Sequence, residues 1–177
     1  MRVIGGEFRS RRLKSVPGLD TRPTPDRLRE ALFNVLAPRI EGCEFLDVYA
    51  GTGAVGIEAL SRGARRAMFV EKNRAAVEVI RENLASFGLE NRAEIFTSKA
   101  LTVLERVAAD IVFLDPPYEL EKEYDVALEA VAAGASELVI VQHDRRRTLQ
   151  EHYGNLARIR ILKQGDNVLS FYQKSPV

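Results

Sequence analysis

Residues 44–63 read EFLDVYAGTGAVGIEALSRG. The opening EFLDVY has the apolar and aromatic content of a strand, and VGIEALSRG has the look of a helix. Between them, Gly51, Gly53 and Gly56 fall in G-x-G-x-x-G spacing. Glycines there let the backbone turn tightly and approach a ligand closely. Glu71 closes the next apolar run, AMFVE, 18 residues beyond Gly53. An acid at about that distance reaches a ribose hydroxyl in dinucleotide-binding folds. The frame predicts a site for an adenosine-containing ligand; the bland alternative is a structural turn between strand and helix.

Working outward, strands and helices alternate. A strand over AMFVE precedes a helix over RAAVEVIRENLASFG, with Gly88 as its stop. A strand over AEIFT, a short helix over ALTVLERV and a strand over DIVFL follow. A helix over EYDVALEAVAAG and a strand over ELVIVQH come next. LARIRILKQGDNVLSFYQK reads as two strands joined by a turn at Gly165–Asn167. Upstream, DRLREALFNVLAPRI has helical apolar spacing; Thr24 or Asp26 is placed to cap it and Pro38 to end or kink it. The pattern predicts a Rossmann-like α/β fold, a mostly parallel sheet with helices on both faces and a C-terminal antiparallel hairpin.

Two further features narrow the ligand. Asp47 lies inside the end of the first strand, four residues before Gly51. A carboxylate there repels a pyrophosphate and suits a ligand carrying a sulfonium and an ammonium, which favours S-adenosylmethionine over a nicotinamide cofactor. The second is LDPPY, residues 114–118, directly after the strand DIVFL. In an open α/β sheet, ligands bind beyond the carboxyl ends of the strands at the switch point. If this strand and the first flank that point, Asp115 meets the reactive end of the cofactor. An aromatic exocyclic amine is a poor nucleophile because its lone pair is delocalised. Asp115 and the Pro116 carbonyl can accept its two N–H bonds, the prolines keep those acceptors rigid, and Tyr118 can stack on the base. The competing reading is a rigid turn, since Asp-Pro starts many turns.

The 177 residues suffice for one domain with a core, with 46% hydrophobic and 29% charged residues. No apolar run approaches a membrane span, and the N-terminus lacks the apolar core of a secretory signal. Cys43 is the sole cysteine, which excludes an internal disulfide or cysteine metal cluster and favours a reducing cytoplasm. The net charge of +1 is uneven: residues 1–29 hold eight basic and three acidic groups. MRVIGGEFRSRRLKSV reads as a small β-hairpin or extended arm with basic Arg2, Arg9, Arg11, Arg12 and Lys14. It suits a polyanion, or it is a solvated surface. A loop near residues 17–25 separates it from the rest, giving an arm over 1–20 and a main domain over 21–177.

With these residues in view, the chain resembles the RsmD-type bacterial guanine-N2 methyltransferases of small-subunit ribosomal RNA, within the class I S-adenosylmethionine-dependent superfamily. MRVIGGEFRSRRL, LDTRPTPDRLREALFNVL, FLDVYAGTGAVGIEALSRGA, FVEKN and LDPPY carry the likeness across nearly the whole chain. The resemblance implies a seven-stranded sheet in the order 3-2-1-4-5-7-6 and an RNA-contacting N-terminal hairpin. It implies cofactor contacts from Asp47, Tyr49, Ala50, Gly51, Thr52, Gly53, Glu71, Lys72, Ser98, Lys99 and Asp115. Asp115, Pro116 and Tyr118 would hold a flipped guanine, with Thr21, Arg22, Pro23 and Thr24 over the site. Arg22 and Thr24 join the five basic arm residues as RNA contacts. Lys99 stands where such families usually have an acid for the adenine amine, leaving that contact to Ser98 or the backbone. The implied partner is ribosomal RNA or the small subunit; separately from the resemblance, a monomer with no membrane and no metal partner is expected.

Elsewhere, His143-Asp144 is expected in a solvent loop after the fifth strand, with a role at the pocket as the alternative. Asp144–Arg147, DRRR, is either a phosphate contact or a helix start; His152 is expected at the surface and Cys43 near a helix end. Three rivals remain. An adenine-N6 DNA methyltransferase would use the same loop. An NAD-dependent oxidoreductase would need a second, hydride-handling domain. A non-catalytic RNA-binding module could keep the fold alone.

Overall fold

The computed structural model describes residues 1–18 and 24–176. In chain order the elements are α1 (Asp26–Ile40), β1 (Glu44–Val48), α2 (Ala54–Ser61), β2 (Arg66–Val70), α3 (Arg74–Ser86), β3 (Ala93–Phe96), α4 (Ala100–Leu104), β4 (Ile111–Leu114), α5 (Glu121–Ala132), β5 (Leu138–Asp144), β6 (His152–Tyr153), β7 (Leu156–Gln164) and β8 (Asn167–Lys174). Among the described residues the strands form one sheet in the order β3-β2-β1-β4-β5-β8-β7-β6. The first five are mutually parallel, and β8, β7 and β6 add antiparallel. The short strand β6 makes the sheet eight-stranded rather than seven-stranded. The remaining order follows the expected path once the closing hairpin is numbered β7 and β8.

Strand β1 pairs with both β2 and β4. From it the chain winds outward one way through β2 and β3, then the other way through β4 and β5. The switch point therefore lies between the ends of β1 and β4, where a crevice opens. Alternate residues of these strands enter opposite layers. Phe45, Phe69, Ile111 and Phe113 pack with α1, α2 and α3 residues. Leu46, Val48, Val112 and Leu114 pack with residues of α4 and α5. Burial on both faces explains why these strands read as apolar runs. Gly56 lets α2 lie close to β2, since a Cβ there would sit 2.3 Å from the Phe69 ring.

Several local expectations need correction. Helix α1 is capped by Pro25 rather than by Thr24 or Asp26, and no side chain caps it. Proline fits because its fixed φ of −55° leads into the helix, while the Asp26 carboxylate pairs with Arg29 inside the first turn. Pro38 does not end α1, which runs on to Ile40; lacking an N–H, it forfeits the bond to the Asn34 carbonyl, and the helix stops two residues later. His143 and Asp144 belong to β5 itself, and His143 is buried. The antiparallel partner β8, paired through Asp144↔Asn167, extends the strand and covers it.

The N-terminal arm is closed by one antiparallel bridge, Arg2↔Arg12. Val3 and Leu13 anchor it in the core, and Phe8 lies against Phe87 with ring centroids 5.2 Å apart. Beneath it sits Glu58, a fully buried acid on the otherwise apolar α2. Its carboxylate accepts from the backbone N–H groups of Ile4 and Gly5, both at 2.8 Å. It also pairs with Arg62 Nε at 2.8 Å and with the buried Arg29 at 3.6 Å. Arg29 donates in turn to the Arg2 carbonyl and, at 3.1 Å, to Asp26. Arm, α1 and α2 thus meet at one carboxylate.

Candidate active site

The glycine loop follows directly from β1. Tyr49, at φ +62°, holds a left-handed backbone that costs a non-glycine residue on the order of 1–3 kcal/mol. Its hydroxyl donates to Glu123 of α5 at 2.7 Å, which ties the loop to the far side of the crevice. Ala50 N donates to the Val70 carbonyl at 3.0 Å. Gly53, at φ +81°, caps α2 in a conformation that suits glycine. Around Gly51 the space is open, and an added Cβ would meet no atom within 4 Å. Thr52 is buried, and its carbonyl accepts from Asn83 Nδ2 at 3.1 Å.

Three carboxylates converge on this loop and on the tip of β4. Asp47 is buried, and one of its oxygens accepts from Gly56 N at 2.9 Å, so it braces the start of α2 from below. Glu71 accepts from Gly51 N at 2.8 Å and from Asn73 N at 3.0 Å, which fixes its carboxylate beside the loop. Asp115 follows β4 and is half-buried; among the described residues no donor reaches its carboxylate. Desolvation raises the Asp115 pKa to about 7. Asp47 is also raised, by desolvation first and then by the negative charges of Asp115 and Glu71. Among the described residues none of the three pairs with a cation: Lys72 and Lys99 are exposed and form no ion pair.

The rest of the tip is held from α5 and from the β5–β8 corner. Pro116 is buried, and its carbonyl accepts from the Tyr124 hydroxyl at 3.1 Å. Tyr118 is half-buried and donates to Asn167 Oδ1 at 3.0 Å. Thr24 is buried beside the same strand ends, with its hydroxyl on Gln142 at 3.2 Å. It therefore faces inward rather than presenting itself to RNA. Thr21, Arg22 and Pro23, expected over the site, lie outside the described residues. Among the described residues the Ser98 hydroxyl bonds only locally, to the Lys99 carbonyl at 3.4 Å, and Lys99 caps the short helix α4.

The basic arm divides into two groups. Arg11 packs over the Phe87 ring at 4.5 Å and donates to the Ser86 carbonyl at 2.7 Å. Lys14 pairs with Glu82 at 3.0 Å. These two hold the arm down. Arg2, Arg9 and Arg12 are exposed, and among the described residues their guanidinium groups have no acidic partner. The buried Asn83 joins arm and glycine loop: it exchanges bonds with Lys14 at 2.7 Å and 3.2 Å and donates to Thr52.

Sequence patterning did not single out Glu58, Asn83 or Tyr124, and it noted Arg147 only within DRRR, as a phosphate contact or a helix start; the structure has a turn there and no helix. Glu58 left a readable trace, one charge in an apolar helix, which signals a buried pair. Tyr124 and the carbonyl contacts of Arg147 left none, because the partners are distant in the chain.

The protein family described as "Conserved hypothetical protein 95" matches residues 1–173. The chain belongs to this family. Its likeness to RsmD-type methyltransferases, first carried by the motifs, is thereby borne out. It is 43% identical over 120 residues to "Ribosomal RNA small subunit methyltransferase D" of Escherichia coli strain K12, a stretch covering 67% of this chain and 60% of that protein. It is 34% identical over 188 residues to "Putative rRNA methyltransferase YlbH" of Bacillus subtilis, covering 98% and 99% of the two chains. The solved structure titled "Putative methyltransferase yhhF from Escherichia coli" superposes with a TM-score of 0.88 at 32% identity, covering 100% of this chain and 99% of that one. The family members thus share the class I methyltransferase fold. Among the described residues no helix is long and apolar enough to cross a membrane, and no cluster of three or more His, Cys, Asp or Glu could hold a metal ion.

Proposed function

We propose that the protein methylates the exocyclic N2 amine of a guanine in small-subunit ribosomal RNA, on an assembled or partly assembled subunit in the cytoplasm. The methyl donor is S-adenosylmethionine. One observation carries the reading: Asp47, Glu71 and Asp115 converge at the switch point without a cationic partner among the described residues. The negative field favours a ligand bearing a sulfonium and an ammonium and opposes a pyrophosphate. The open space at Gly51 admits such a ligand, and the Glu71 carboxylate is aimed at the loop where ribose hydroxyls belong. Relatives named as ribosomal RNA methyltransferases support the substrate class.

When bound, S-adenosylmethionine supplies an electrophilic methyl group. The chain's own residues prepare the nucleophile. Asp115 accepts one N–H of the base amine and the Pro116 carbonyl accepts the other. These acceptors draw the nitrogen lone pair out of conjugation. Tyr118 stacks on the base, worth about 1–3 kcal/mol. As the new N–C bond forms, the amine sheds a proton, and ionised Asp115 is placed to take it. Arg2, Arg9 and Arg12 contact phosphates, the term that dominates RNA affinity.

The test is methyl transfer from labelled S-adenosylmethionine to small ribosomal subunits lacking base methylation, followed by digestion to nucleosides, with Asp115→Ala alongside. Label in N2-methylguanosine that disappears in the variant is the expected result. Label in N6-methyladenosine would replace guanine with adenine as the target. Cofactor binding without transfer to any ribosomal RNA would overturn the proposal in favour of a binding module.

A further inference from the structure

The two prolines of the tip fix its internal shape, but they do not fix its direction relative to the sheet. The catalytic reading needs that direction, because the Pro116 carbonyl must face the same point as Asp115. Two side chains outside the tip supply it. The Tyr124 hydroxyl donates to the Pro116 carbonyl at 3.1 Å, using one of its two lone pairs and leaving the other for a ligand. The Tyr124 ring is buried in α5, and the Arg147 guanidinium lies 4.1 Å from its centroid. Arg147 then reaches over the tip: Nη2 donates to the Tyr118 carbonyl at 3.4 Å and Nη1 to the Glu121 carbonyl at 3.3 Å. Its own backbone N–H donates to the Asp144 carbonyl at 3.0 Å, which roots the clamp in the turn after β5.

We propose that Arg147 and Tyr124 are positioning residues that aim the Asp-Pro-Pro-Tyr tip, a role that rests on the methyl-transfer reading above. Neither touches the base. Arg147 fits because a planar guanidinium offers divergent donors while stacking on a ring, which an ammonium does not. Displacement of an acceptor by about 1 Å can cost on the order of a hundredfold in turnover. The clamp therefore governs turnover and leaves cofactor binding at the glycine loop untouched.

The experiment compares Tyr124→Phe, Arg147→Lys and Arg147→Ala with the wild type. Three quantities are read: turnover on small subunits, S-adenosylmethionine affinity by titration, and amide hydrogen exchange over residues 118–121 against residues 50–53. The expected result is a fall in kcat of about tenfold or more in all three variants. Exchange should quicken at the tip alone, with cofactor affinity unchanged. Rescue by Arg147→Lys would show that charge, not the fork and stack, matters, and would overturn the assignment. So would wild-type turnover or wild-type exchange at the tip in Tyr124→Phe. If even the wild type methylates no ribosomal RNA, the proposed function fails, while the exchange data still decide the clamp.

Discussion

Glu58 and Asp115 are carboxylates shielded from water in one small domain, and they are treated in opposite ways. Glu58 has four partners, two backbone N–H groups and two guanidiniums. Asp115 has no donor among the described residues, and desolvation lifts its pKa to about 7. The first arrangement fastens the arm and two helices together. The second leaves unmet negative charge where a ligand can meet it. Satisfaction marks a structural joint, and its absence in a cleft marks a site.

The sharpest way to break the contrast is at Glu58. Glu58→Ala removes the buried counter-charge beside Arg29, which keeps the exposed Asp26, and frees the arm, so stability should fall by about 3 kcal/mol or more in denaturant unfolding. Asp115→Asn should do the reverse. It should cut methyl transfer by about a hundredfold or more while leaving unfolding stability equal or higher at neutral pH.

The pH dependence gives a finer reading. A carboxyl pKa raised in the folded state means that the native protein holds its proton longer than the unfolded chain. The stability this confers is full below the unfolded value of about 3.9 and is lost as pH rises through about 7. Asp115→Asn should flatten that fall in a series of melts. Activity runs the other way: kcat/KM at saturating cofactor should climb with pH through the Asp115 ionisation and plateau above it.

The smallest expected effect concerns the arm. Replacing Arg2, Arg9 and Arg12 together by Ala should weaken RNA binding without lowering stability. It should flatten the log–log salt dependence by about 2 to 3. The same change at Arg11 should instead loosen the arm, because its guanidinium packs on Phe87.

These differences explain how far the sequence could be read. The glycine loop and Asp-Pro-Pro-Tyr are local, and the alternation of strands and helices brings their ends together without any knowledge of side-chain packing. Glu71 was legible for the same reason, as a spacing. The role of Arg147 at the tip was not, because its carbonyl partners lie 26 and 29 residues away and the β5–β8 corner unites them. His143 was misjudged because its burial depends on Ser170 of β8, which lies 2.8 Å from its Nε2. Strand β6 escaped because two residues carry no period.

The outer margin of the sheet has a consequence of its own. Among the described residues strand β6 pairs only with Leu156 and Ala157 of β7. Beyond Arg158, whose N–H donates to the Glu151 carbonyl at 2.8 Å, β7 has no outer strand partner among the described residues, and Ile159 and Ile161 are exposed. A bulge between Arg158 and Arg160 interrupts its register, and Arg160 and Lys163 place charge along it. Such irregularity and charge prevent one molecule's edge from templating another's. A chain stripped of those two cations would keep its fold and yet be prone to cross-β association at high concentration.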